Sequence, residues 1–267
     1  MPAHRRRQRE RYLSLALLQR RGYDTRDLSM YELSVFSQNG EDGVLLELLH
    51  RVGTGPRYFV EFGAGEGLEC CCAVLADVLG WEGLFAEADD ARFGFLSGKY
   101  GNNERVATIP ELITAENVEE VFDAAGVPTD FDVLSIDVDG TDYWTWRAIE
   151  RYRPRIVIIE YNSGLDAREP LVQGPEPVEW KSSDYFGASL AALTDLARAK
   201  GYSLAHLEQT GVNAFFVRDD LSWDKPAPPT HRAPNYLLAG YRHVPDPEGR
   251  SYVRPDAPGD ESAGRDA

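Results

Sequence analysis

Cysteine is scarce in this sequence, and its placement excludes two classes of protein. The chain has 267 residues and three cysteines, all adjacent: Cys70, Cys71 and Cys72. Neighbouring residues of a helix point about 100° apart, so these three cannot converge on one tetrahedral metal. No second cluster exists to complete such a site. Adjacent cysteines bridge poorly and no distant partner is present, which excludes a disulfide framework. The expected role is small buried apolar filler, with a reactive thiol at a helix start as the alternative. Long apolar runs are missing too. No stretch of 18 apolar residues occurs, so no transmembrane helix is expected. The segment "YLSLALL" is short and is followed at once by "QRR", unlike a secretory core, and a cytoplasmic location is the expectation.

Basic residues are also in deficit. Lys and Arg number 28 against 44 Asp and Glu, a formal net charge of -16. Such a surface repels phosphate backbones, so no nucleic-acid partner is expected. The deficit is uneven, because "HRRRQRERYLSLALLQRR" (4 to 21) is locally basic. It reads as a solvated helical arm, or as an arm packed on the body or on a second copy in a homodimer. Contact with a membrane surface or an acidic partner is the alternative reading of that arm, and no membrane partner is expected. A hydrophobic fraction of 43% supports a real core. The expected layout is a basic arm (1–30), a Rossmann-like domain (31–222) and a proline-rich extension (223–267) whose end is disordered.

Two phosphate-binding signatures are absent. No glycine loop ends in Lys-Ser/Thr, and the dinucleotide fingerprint G-x-G-x-x-G fails because position 68 is Leu. What is present is "FVEFGAGEGLECCC" (59 to 72). "RYFVEF" (57 to 62) reads as a buried strand and "LECCCAVLADVLG" (68 to 80) as a helix ended by Gly80. Between them, Gly63-Ala64-Gly65-Glu66-Gly67 lets a ligand approach the backbone. Glu66 and Glu69 beside this loop suit a cation better than a pyrophosphate. S-adenosylmethionine, with a sulfonium and an ammonium, fits that charge pattern. Glu87, at the tip of a second strand near 83 to 87, is placed to bind both ribose hydroxyls. Glu61 is placed to accept from the ligand's amino group. The bland alternative makes both ordinary strand-end acids.

The rest of the chain alternates strand and helix. Strands are expected at "ERVATI" (104 to 109), "FDVLSIDVDG" (131 to 140) and "RIVIIEYN" (155 to 162). Helices are expected in "AENVEEVFDAAG", capped by Thr114, in "TDYWTWRAIERY" and in "FGASLAALTDLARAKG". "YSLAHL" and "NAFFVRD" are joined by the short link "EQTGV", which demands an antiparallel pair. The fold class is therefore α/β, a Rossmann-like doubly wound sheet, mainly parallel, finished by an antiparallel hairpin, as in class I methyltransferases.

Ligands of such sheets lie beyond the carboxyl ends of the strands. Asp137 and Asp139 end the fourth strand, Glu160 and Asn162 the fifth. Residues i and i+2 on a strand share a face, and neighbouring strands lie about 4.8 Å apart, so the two pairs can meet around one hard cation such as Mg2+. Bound there, magnesium would lower the pKa of an acceptor hydroxyl. Two alternatives stay open. One carboxylate acts as a general base without metal, or Asp137 holds the cofactor's amino group while Asp139 caps a helix at Thr141.

Several segments together resemble the FkbM-type family of S-adenosylmethionine-dependent methyltransferases over about 36 to 221. They are "SQNGEDGVLLELL", "FVEFGAGEG", "GWEGLFAE", "ITAENVEEVF", "LSIDVDGTDYW", "IVIIEYN", "YFGASLAALTDLARAKGYSL" and "GVNAFFVRDDL". The resemblance implies that Glu61, Gly63, Gly65 and Glu87 line the cofactor, with Ala64 and Ala88 beside them. It implies that Gln38 and Glu41, in "SQNGEDG", close over the methionine end. "IDVDGTDYW" also resembles the stretch of catechol-type O-methyltransferases whose first Asp binds magnesium, which points to Asp137. Gly140 stands where those enzymes' lysine-based deprotonation would need its residue, and Tyr161 separates Glu160 from Asn162 where they have an adjacent acid–amide pair. Lys181 and Tyr185 are candidate acceptor contacts, and Tyr143 is placed to border the acceptor pocket. His231 is a further candidate base if the tail folds over the site.

The implied activity is methyl transfer to a hydroxyl of a small sugar or secondary-metabolite acceptor. A nicotinamide-dependent oxidoreductase, with Leu68 against it, and a non-catalytic ligand-binding protein of the same fold are the alternatives.

Overall fold

The computed structural model describes residues 26–178, 180–225, 232, 234 and 243–256. The basic arm (4 to 21) and His231 lie outside the described residues.

Apolar β-rich runs and helical segments alternate as β1 (Tyr58–Phe62), β2 (Glu82–Ala86), β3 (Val106–Ile109), β4 (Val133–Ile136), β5 (Ile156–Glu160), β6 (Tyr202–Leu207) and β7 (Asn213–Arg218). The helices are α1 (Glu41–Val52), α2 (Ala73–Asp77), α3 (Asp90–Tyr100), α4 (Val118–Ala125), α5 (Asp142–Ala148) and α6 (Leu190–Lys200). The sheet runs β3-β2-β1-β4-β5-β7-β6. β1 to β5 pair in parallel, and β7 is antiparallel to both β5 and β6. This is the expected doubly wound class with its closing hairpin. Among the described residues no helix is long and apolar enough to cross a membrane.

Side chains alternate across each strand, and this alternation makes two cores. Val60, Phe62, Leu84, Leu134 and Ile136 pack with Phe122 of α4, Trp146 of α5 and Leu193 of α6. Phe59, Phe85, Val133 and Ile158 pack on the other face with Leu45 of α1, Leu75 of α2 and Leu96 of α3. The strands run apolar on consecutive positions because both faces are covered.

Several boundaries differ from the sequence expectation. The helix expected from 68 spans only Ala73–Asp77, and Cys70, Cys71 and Cys72 lie in the turns before it. The cause is Glu61 on β1, whose carboxylate accepts from the Cys71 and Cys72 amides at 2.8 Å each and fixes the loop before the helix starts. The cysteines are buried and free, as expected of filler. Burial raises all three thiols well above the usual range, so the reactive-thiol alternative is not supported. Thr114 does not cap its helix; Asn117 occupies that position. β4 stops at Ile136 rather than near 140, which leaves Asp137 and Asp139 in the following loop.

Candidate functional site

The head of the sheet holds a cavity of about 850 Å³, within the range of natural ligand pockets. Its floor follows from strand register. Phe62 is level with Ala86 and Ile136, and Ile136 with Ile159. One residue further on, Glu87, Gly63, Asp137 and Glu160 form a row across four parallel strands, in that order. All four line the cavity. Asn213, paired with Glu160 in the register of β5 and β7, extends the row.

Gly63 and Gly65 serve different ends. Gly63 has φ +70°, and a Cβ there would fall 1.7 Å from the Asp137 carbonyl oxygen, so β1 and β4 need glycine to approach at their ends. Gly65 has φ +56°, and a Cβ there would meet nothing within 4 Å. Its backbone is therefore bare toward open space, and it lines the cavity with Ala64 and Ala88.

The acids of the site divide into two kinds. Glu61, Glu87, Glu41 and Asp142 each fold a loop. Glu87 accepts from Gly65 N–H at 2.7 Å and from Asp89 N–H at 2.8 Å. Glu41 accepts from Asn39 N–H and from Asn213 Nδ2, both at 2.8 Å. Asp142 accepts from Val138 and Gly140 N–H at 2.8 and 3.0 Å. Asp137, Asp139 and Glu160 have no hydrogen bond or ion pair among the described residues, and all three face the cavity. Asp139 is moreover held at φ +55° between the two amides that Asp142 captures, a left-handed conformation that costs roughly 1–2 kcal/mol.

Crowding shifts these groups. Burial, then the charges of Asp142 and Asp139, raises Asp137 well above the carboxylate range. Burial, then Asp137, does the same to Glu160. Asp139 is raised by burial, with Arg92 opposing. Burial lifts Glu61 to about 7 and Asp142 to about 6. Asp137 touches solvent in the cleft yet is enclosed by protein and other carboxylates on its remaining sides.

The four-ligand magnesium site is corrected. Asn162 is buried and does not line the cavity. Its Nδ2 donates to the Asp184 and Phe186 carbonyls and lies 2.9 Å from the Tyr252 hydroxyl, while its Oδ1 accepts from Gly164 N–H. Asp137 and Asp139 are not strand neighbours on one face. Among the described residues no group of three or more His, Cys, Asp or Glu is disposed to hold a metal. Asp139 does not cap α5; Asp142 closes that turn instead.

The three acceptor candidates lie elsewhere. Tyr143 is buried in the core, edge-on to Trp144. Tyr185 is buried, and its hydroxyl accepts from Gly174 N–H at 3.3 Å under the Arg250 guanidinium. Lys181 is exposed and outside the cavity lining, although its neighbours Trp180 and Ser182 line it. Gln38 and Glu41 do line it. Residues not anticipated are Arg92, Ile113, Trp180, Ser182, Asn213 and His243. Trp180 and Ser182 lie in the loop between β5 and α6, and His243 lies beyond β7, where the sequence has neither a helical nor a strand period.

No protein-family profile matches the chain, and no curated protein matches it. Solved structures do align with it. A SAM-dependent methyltransferase from Aquifex aeolicus is 14% identical with a TM-score of 0.40, over 73% of this chain and 100% of that one. A ribosomal protein L11 methylase from Lactobacillus delbrueckii subsp. bulgaricus is 14% identical with a TM-score of 0.41, over 67% and 80%. A fibrillarin from Aeropyrum pernix with natively bound S-adenosyl-L-methionine is 12% identical with a TM-score of 0.42, over 61% and 66%. With TM-scores below 0.5, these likenesses establish neither the fold nor the function of this chain. The strand order and the antiparallel β7, read from the chain itself, give the Rossmann-like arrangement of class I methyltransferases that the sequence predicts.

Proposed function

We propose that the protein is an S-adenosylmethionine-dependent methyltransferase acting on a hydroxyl of a small acceptor, a sugar or secondary metabolite. One observation carries the reading: a row at the head of the sheet sets a bare glycine backbone and an anchored acid, Glu87, beside the unpartnered acids Asp137 and Glu160. The residues fit the donor. Gly65 leaves room where a side chain would intrude, and Glu87 keeps acceptor capacity beyond its two amide bonds for ribose hydroxyls. Gln38 and Glu41 face the same cavity from the start of α1, at the methionine end of this reading.

When bound, the donor supplies an electrophilic methyl group on a cationic sulfur. The protein's own part is alignment and charge. The charges of Asp137, Asp139 and Glu160 oppose one another's ionisation, and a bound cation relieves that repulsion. Trp180 and Ile113 give the acceptor an apolar wall, which excludes water and orients it. Glu61 anchors the glycine loop through the Cys71 and Cys72 amides. The four-residue magnesium set is not carried into this reading, since Asn162 does not reach the cavity.

Calorimetric titration tests the reading. S-adenosylmethionine is expected to bind, a reduced nicotinamide is not, and added magnesium is expected to change neither. Absence of heat with S-adenosylmethionine, or equal heat with the nicotinamide, would sink it.

A further inference from the structure

The β5 end of the cavity has a polar corner that holds acceptors without donors. Ile158 and Phe215 pack on the face of the sheet that α1 covers. Side chains alternate along a strand, so Glu160 and Asn213, two residues away from them, share that face at its upper edge. The two are directly paired in the register of β5 and β7, and opposed residues of an antiparallel pair hold their Cβ atoms about 4.5–5.5 Å apart. Ser135 on β4 is level with Ile158, one step below on the same face. All three line the cavity. Ser135 is 2% exposed and Asn213 8%, yet the Ser135 hydroxyl has no hydrogen bond among the described residues. The Asn213 amide is half used. Its Nδ2 donates to Glu41 Oε1 at 2.8 Å, which fixes the orientation of the group and leaves Oδ1 without a donor. The charges that act on Glu160 are those of Asp137, Asp142 and Asp139, all of its own sign. Arg92, the one Lys or Arg among the described residues that line the cavity, acts on Asp139. Glu160 stands three strand spacings from Glu87, roughly 14 Å at the usual sheet spacing, at the end of the row away from the ribose.

We propose that the acceptor carries a protonated amine and that Glu160, Asn213 and Ser135 bind it, which rests on the methyltransferase reading. The groups match in number. An ammonium has three N–H donors and no acceptor. The corner offers a carboxylate, an amide oxygen and a hydroxyl oxygen, none of them met by a protein donor among the described residues. A neutral hydroxyl in the same place supplies one donor and leaves two of the three oxygens unmet, which is costly for buried groups. Charge agrees with the count. Burial, then Asp137, raises Glu160, and an ammonium against it favours the ionised form again. The amine is the handle that orients the acceptor, and its hydroxyl remains the group that is methylated. The substrate class narrows to amino sugars and aminated secondary metabolites.

The test fills the donor end first. The protein is saturated with S-adenosylhomocysteine and titrated calorimetrically at pH 7 with trans-2-aminocyclohexanol and with trans-cyclohexane-1,2-diol. The probes differ by an ammonium in place of a hydroxyl, and the amine is expected to bind at least about tenfold tighter. Glu160→Gln keeps the shape without the charge and is expected to bring the two probes within about twofold. Ser135→Ala is expected to weaken the amine about threefold and leave the diol unchanged. Glu111→Gln removes an equal charge elsewhere in the cavity wall, and the preference is expected to survive it. Equal binding of the probes, or no binding of the amine, overturns the proposal while the methyltransferase reading stands on the bound S-adenosylhomocysteine. Loss of the preference in both Glu160→Gln and Glu111→Gln assigns it to the acidic cavity as a whole and overturns the corner as a site. A preference that persists in Glu160→Gln, with S-adenosylhomocysteine weakened about tenfold, gives that carboxylate to the donor's ammonium and overturns the proposal too. No binding of S-adenosylhomocysteine overturns the methyltransferase reading, and the amine site with it.

Discussion

Asp139 is a residue whose charge, backbone and lack of partners all cost stability. Asp139→Asn removes one charge from a crowded cleft, and Asn tolerates positive φ at least as well as Asp. The folded protein is expected to gain about 1 kcal/mol, read as a melting temperature a few degrees higher at pH 8. Affinity for S-adenosylmethionine is expected to fall, the trade that a functional site imposes. Unchanged melting and unchanged affinity together would remove Asp139 from the site. Glu87 gives the opposite outcome. Glu87→Gln weakens the bonds to Gly65 and Asp89 as well as any ribose contact, so donor affinity should drop at least about tenfold in calorimetry, some 1.4 kcal/mol. Sequence makes these strand-end acids visible as a group, because each follows an apolar run. It does not reveal which are already satisfied. The donors to Glu61 come from Cys71 and Cys72, and those to Glu87 from Gly65 and Asp89, so the pairing exists only after the loops fold.

At the level of elements, two substitutions separate scaffold from chemistry. Gly63→Ala sets a methyl into the Asp137 carbonyl and also strains a φ of +70°. Its expected cost is about 3 kcal/mol or more, visible in urea unfolding, because two strand ends must part. Asn162→Ala takes the acceptor from the Gly164 amide and one donor from each of the Asp184 and Phe186 carbonyls, which the Tyr252 hydroxyl also meets. About 2–3 kcal/mol should be lost, with the same melting temperature whether or not magnesium is added. A magnesium-dependent difference would restore Asn162 as a ligand. Element order and pairing were legible because buried parallel strands read as unbroken apolar runs such as "IVII". Boundaries were less so. α2 begins late because a carboxylate on β1 captures the amides ahead of it, and β4 ends early because Asp142 turns the chain back. Both effects come from tertiary hydrogen bonds that local propensity does not contain.

For the molecule as a whole, raised carboxyls set the pH response. Glu61 at about 7, and Asp42 and Asp142 at about 6, hold protons in the folded chain that the unfolded chain releases near pH 4. Asp137 and Glu160 are raised further in the same direction. Between pH 5 and 8 the folded state thus binds more protons, and stability falls as pH rises. Thermal melts at pH 5.5 and pH 8 should show this fall, and saturating S-adenosylmethionine should reduce it, since a cation favours the ionised carboxyls. A rise in stability over that interval would contradict the picture of a crowded acidic cleft. The tail is where sequence said least. It has neither period to read, and its docking depends on backbone pairing at Val172 and Ser183 rather than on side-chain pattern.

The place of β7 between β5 and β6 has a consequence for synthesis. While the chain emerges from the ribosome, the outer edge of β5 stays open until residue 218 has appeared, although the glycine loop and its acids are already built. The strip from 243 to 253 comes later still. A nascent chain can thus form the glycine loop and the acids beside it before β7 and the strip at 243 to 253 complete the other end of the cavity.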